Sequence, residues 1–140
     1  MAGTATPIFP QSLTNFTPVQ ILPADTTTLK TLVTPGANGC KVENIIVQST
    51  DTSAKDLVLV VTKGGTDFPL ATISIPANSG NTNALVSVSL FQHAMLAGLN
   101  NDAYGNKYLY LGSGSVLKAK VASTVTTAKA ISLFPQGGDY

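Results

Sequence analysis

From Thr26 onward, short stretches rich in Val, Ile, Leu and Thr are cut apart by breaks such as Pro35-Gly36-Ala37-Asn38-Gly39, Gly64-Gly65-Thr66-Asp67, Pro76-Ala77-Asn78-Ser79-Gly80 and Gly112-Ser113-Gly114-Ser115. Beta-branched residues lose side-chain freedom in a helix and pack well on a pleated surface, while Gly, Pro and Asn supply the backbone angles of tight turns. This punctuation predicts strands over Thr27–Thr34, Cys40–Ser49, Leu57–Lys63, Phe68–Ile75, Ala84–Leu90, Lys107–Leu111, Val116–Ser123 and Thr126–Phe134. The continuous Leu57-Val58-Leu59-Val60-Val61 suits a strand covered on both faces. Phe91–Leu99 is the one stretch with helical spacing, with Phe91 and Met95 one turn apart and Gly98 placed to stop it. About eight strands recurring every 8 to 12 residues point to an all-β, two-sheet β-sandwich of jelly-roll type with at most one short helix. A small barrel satisfies the same pattern.

The first 24 residues differ from the rest. They carry no charge and hold Pro7, Pro10, Pro18 and Pro23. Proline fixes φ and removes a backbone donor, which excludes a helix and disfavours a central strand. We therefore expect residues 1–24 to form an extended N-terminal arm and residues 25–140 to form the sandwich. Ile8, Phe9, Leu13 and Phe16 fit no single helix or strand face. Two readings of them stay open: the arm is a floppy tail or folds back on its own domain, or these four are anchors laid along another subunit.

Charged residues make up only 11% of the chain, against a globular norm of roughly 25%. Solubility must then come from Thr, Ser, Asn and Gly, whose surfaces are easier to desolvate than charged ones when a partner covers them. All eight cations are lysines. Without the planar guanidinium fork that best grips phosphates and base edges, no nucleic-acid partner is expected. The longest aliphatic run, Leu57–Val61, is far short of a bilayer span, and Met1–Phe16 lacks the cationic start of a secretory signal. No membrane partner is expected, and synthesis is expected in the cytoplasm.

Reactive groups are few. His93 is the only histidine and Cys40 the only cysteine, and neither has a recognisable catalytic flank. Glu43 stands alone, and every Asp lies in or beside a turn, where its side chain bonds the nearby backbone. The loop Asn100-Asn101-Asp102-Ala103-Tyr104-Gly105 has a glycine at its sixth position like a calcium loop, yet Leu111 stands where the bidentate Glu belongs. A turn explains it. The chain is therefore read as a non-enzyme with no catalytic residue, cofactor or metal. Tyr108 and Tyr110 share one face of their strand and form a candidate contact pair, since tyrosine suits interfaces. Lys118 and Lys120 likewise share a face, in a region from 103 to 138 with four lysines and no acid.

The segment Asp102–Lys120, the strand Thr126–Phe134, the ending Gly137-Gly138-Asp139-Tyr140 and the turn Pro76–Gly80 together resemble the decoration, or cement, proteins of tailed bacteriophages. The resemblance spans nearly the whole chain and rests on glycine and turn patterns. It implies a jelly-roll subunit, made in the host bacterial cytoplasm, that binds the outside of the capsid in the virion. Such a subunit clamps neighbouring copies of the phage major capsid protein, and acts as a homodimer or alternatively a trimer. The competing expectation is a glycan-binding sandwich of a phage fibre or tail, in which Tyr104, Tyr108 and Tyr110 replace the missing Trp.

Overall fold

The computed structural model describes residues 9–140. Among them the chain forms ten strands: β1 (Val19–Ile21), β2 (Lys30–Val33), β3 (Cys40–Ser49), β4 (Lys55–Lys63), β5 (Thr66–Ile75), β6 (Val88–Ser89), β7 (Asn100–Asn101), β8 (Lys107–Leu111), β9 (Ser115–Val121) and β10 (Ile131–Asp139). One sheet runs β1-β10-β3-β8-β7, with β6 also on β3, and the other runs β2-β9-β4-β5. All pairings are antiparallel. The chain is thus a long hairpin rolled up on itself: β4 pairs β5, β3 pairs β8, β2 pairs β9 and β1 pairs β10. That order, four main strands per sheet, is the jelly-roll sandwich expected from the turn spacing.

Alternation does the packing. In β9, Ser115, Leu117, Ala119 and Val121 are buried while Val116, Lys118 and Lys120 are half-buried on the opposite face. Ile21, Leu32, Ile45, Leu57, Leu59, Ile73, Leu117, Ile131 and Leu133 fill the space between the sheets. At about 1.5 to 3 kcal/mol for each fully buried large side chain, this layer is what outweighs the ordering of the backbone. Gly64 and Gly65, with φ of 58° and 76°, form the two-residue corner between β4 and β5 that only residues tolerant of positive φ can make.

The structure corrects several boundaries. Ala84–Leu90 is not a full strand: only Val88 and Ser89 pair with β3, and Leu85 and Val86 stand in solvent. The segment before them is held as a loop, with Gly80 N–H donating to the Leu85 carbonyl and Ser49 N–H to the Ser79 carbonyl. The Phe91–Leu99 helix is replaced by two 3-10 turns, Leu90–Gln92 and Ala94–Leu96. His93 lies between them in extended backbone, and its Nδ1 accepts the Met95 N–H at 3.2 Å. That local bond starts a new turn instead of continuing a helix. Phe91 consequently points into the core and Met95 out of it. The last strand starts at Ile131 instead of Thr126, because residues before it bond elsewhere, and it continues through Gly137 and Gly138 to Asp139.

Asp51 organises that corner. Its carboxylate is fully buried and accepts Ser53 N–H at 2.9 Å, Ser53 Oγ at 3.0 Å, Thr126 N–H at 2.8 Å and Thr126 Oγ1 at 2.8 Å, with Lys55 Nζ 3.9 Å away. Burial alone would raise its pKa, but these hydrogen bonds outweigh burial and hold it well below the usual carboxylate range. The resulting stability is complete above the unfolded pKa of about 3.9 and is lost as pH falls toward the folded value. Asp51→Ala removes the acceptor of four hydrogen bonds from Ser53 and Thr126 and is expected to cost about 3 kcal/mol at pH 7, measured by chemical denaturation. Asp51→Asn should flatten the loss of stability below about pH 4 relative to the unaltered chain.

Candidate interaction surfaces at the arm and the outer sheet face

The arm, from Phe9 on, lies against its own domain. Gln11 N–H donates to the Asp139 carbonyl at 2.6 Å, and Asp139 N–H donates to the Ser12 carbonyl at 2.8 Å, closing a bridge onto β10. The chain then crosses to the other sheet, where Phe16 bridges Val33 and Thr17 N–H donates to the Leu32 carbonyl. It returns to β10 as β1. The Asp139 side chain locks the crossing, accepting Asn15 Nδ2 at 2.8 Å and Gly36 N–H at 3.2 Å.

Glycine makes this route possible. A Cβ at Gly138 would sit 2.6 Å from Pro10 Cβ, and one at Gly137 would meet the Lys41 carbonyl oxygen and the Phe16 ring. The Gly137-Gly138 pair is therefore the channel through which the arm comes close to β10.

Between Ser12 and β1, the β10 edge from Phe134 to Gly137 carries no paired strand. A groove of about 240 Å³ lies there, with Leu13 on one wall, Phe134, Pro135, Gln136 and Gly137 on the other and Phe16 in the lining. Leu13 is 68% exposed and Phe134 53%, and Phe9, just ahead of Pro10, is 69% exposed. Of the four arm residues singled out from the sequence, Phe9 and Leu13 are thus free, Phe16 belongs to the chain's own core, and Ile8 lies outside the described residues. Phe134 was not singled out, because in the sequence it is one apolar residue within a strand of apolar residues.

Tyr108 and Tyr110 stand together on the outer face of β8, ring centroids 4.9 Å apart and edge to face. Tyr140 adds a third ring 6.3 Å from Tyr110. Lys41, opposite Tyr110 on β3, places Nζ 5.0 Å from the Tyr108 centroid and pairs with Glu43 at 3.3 Å. The Tyr140 hydroxyl is pushed up to about 12, first by burial and next by Tyr110. A polar cleft of about 300 Å³ opens beside Tyr108, among Lys41, Asn44, Gln92, Asn106 and Lys107.

Other polar residues have local duties. Asp102 accepts Tyr104 N–H and Asn106 N–H at 2.8 and 2.9 Å, and the Asn106 bond leads the hydrogen bonds that hold its pKa down. This is the turn that the sequence suggested. Burial, helped by the Asp139 charge, pushes the Cys40 thiol up to about 11, so it is almost wholly protonated at neutral pH. Among the described residues, no three of His, Cys, Asp and Glu gather to hold a metal, and no helix is long and apolar enough to cross a membrane.

Gly138→Val should displace Pro10 and free the arm. We expect amide exchange at Gln11 to quicken about fivefold or more, the net worth of roughly one hydrogen bond, while β3 and β9 amides keep their protection. Unchanged exchange at Gln11 would mean the arm does not depend on this channel. Comparison of the chain with protein-family models, with curated proteins and with solved structures found no match.

Proposed function

We propose that the chain is a capsid decoration subunit of a tailed bacteriophage, bound to the outside of the shell and stabilising contacts between major capsid proteins. The observation that carries this reading is the exposed apolar groove lined by Leu13 and Phe134, in a chain with only 11% charged residues. Large exposed apolar groups grouped at one place favour a protein partner over solvent. The rest of the chain suits the same role, since a rigid sandwich with a sparsely charged surface adds many weak contacts that symmetry multiplies on an icosahedral shell. Self-association as a dimer or trimer belongs to this reading, because several subunits joined together bind more tightly than one.

The glycan-binding alternative has one feature in its favour, the 91% exposed Tyr104 ring. Against it, Lys41 sits over the Tyr108 ring and Tyr110 meets it edge to face, so Tyr108 offers a sugar little open ring surface, although Tyr110 itself is 56% exposed. Binding on a glycan array that is lost in Tyr104→Ala would favour this alternative.

The test is occupancy on shells lacking the protein. Leu13→Ser combined with Phe134→Ser touches side chains already half in water and should leave the melting temperature within a few degrees. Each of these side chains, if covered by the shell, contributes about 1 kcal/mol or more, so the pair should weaken binding by roughly tenfold to a hundredfold. Equal occupancy of the double variant places the contact elsewhere, and absence of binding by the unaltered chain overturns the proposal.

A further inference from the structure

The outer face of the four-stranded sheet is a second surface, separate from the groove. Cross-strand register places Lys118 between Thr31 and Val60, Lys120 beside Val58, and Val116 beside Thr62 on this face. Val58 faces Thr72 on the far side. Lys118 and Lys120 thus occupy the middle of the sheet, half-buried, with their stems over valines. Lys30, Lys41 and Lys55 are each paired with a carboxylate, but among the described residues Lys118 and Lys120 are not. The two acids on the same face lie toward its ends: Asp56 opposite Ser74, and Asp67, whose carboxylate accepts the Thr62 hydroxyl at 2.5 Å.

An opposite charge across a strand pair is worth roughly 0.2 to 1 kcal/mol, and like charges side by side cost a similar amount. Here two lysines share a face in a chain of 11% charged residues, with Val and Thr as their cross-strand neighbours. A second copy docked face to face about a twofold axis through this lysine pair would set it against itself, so a partner of other chemistry is the better occupant. A nucleic acid would use phosphates alone and leave the valines uncovered. We infer that the Lys118/Lys120 face binds a protein surface that presents carboxylates within an apolar setting, so that each ammonium gains a partner while the half-buried Val58 and Val116 are covered.

Poly-L-glutamate added to the full chain provides the test, read by amide chemical shifts. Saturable shifts should centre on Thr31, Val58, Thr72, Lys118 and Lys120 and fade as salt is raised to about 0.5 M. Lys118→Gln with Lys120→Gln should weaken binding at least about tenfold, whereas Lys118→Arg with Lys120→Arg should restore it. Lys63→Gln with Lys107→Gln, which changes the net charge equally at other places, should change it less than about twofold. Equal weakening by both Gln pairs, or shifts spread evenly over all lysines, would overturn the inference. So would tighter binding of a short DNA duplex than of polyglutamate. Because no shell enters this experiment, its failure leaves the decoration reading standing, and loss of shell binding leaves this inference standing.

Discussion

Everything in this molecule hangs on the pairing of β3 with β10. Nine residue pairs, from Ile131 opposite Ser49 to Asp139 opposite Cys40, join parts of the chain about ninety residues apart in sequence. One edge of the pair carries β1 and the arm, and the other carries β8 and β6. A bulge near Gln136 and Gly137 separates two stretches of regular pairing. On one side of it Phe134 faces solvent, and on the other the glycines admit Pro10. The same irregularity therefore separates the exposed groove from the clasped arm.

Seven of the eight main strands were legible because alternation and turn chemistry agree along most of the chain; β1 was not, because its three residues lie inside the proline-containing stretch read as an arm. Leu117, Ala119 and Val121 alternate with Lys118 and Lys120, and Gly64-Gly65 can scarcely be anything but a hairpin corner. The misplaced elements share a physical cause. Ala84–Leu90 alternates as well as any real strand, but the Gly80 N–H holds the Leu85 carbonyl in a loop and the Ser49 N–H at the end of β3 is taken by Ser79, so only two pairs form. Periodicity says which residues can share a face; it does not say which backbone groups are claimed by a neighbouring loop. Phe91 and Met95 have helical spacing, yet one hydrogen bond, donated by the Met95 N–H to His93 Nδ1, decides the local backbone. A single side-chain acceptor of this kind leaves almost no trace in composition.

The candidate surfaces were legible in part. The apolar residues of the arm stand out because they sit in an uncharged, proline-containing segment where a solvated tail would be polar. What the sequence could not separate was Phe16 from Phe9 and Leu13, since burial depends on the arm crossing from one sheet to the other. Tyr108 and Tyr110 were paired correctly by their spacing of two, while Tyr140 and Lys41 join them only through β3 and the end of β10. Phe134 had no distinguishing mark at all, because the groove beside it is a gap between two separate contacts of the arm.

The crossing arm also has a mechanical meaning. It is bonded to one layer at Asp139, to the other at Leu32, and to the first again through β1. Tension entering at Phe9 meets these attachments one after another, first on one layer and then on the other. After the bonds of Gln11 and Ser12, the Asp139 carboxylate, holding both Asn15 and Gly36, is the next to resist. A tether anchored in this way must let go of both layers in turn before it comes free.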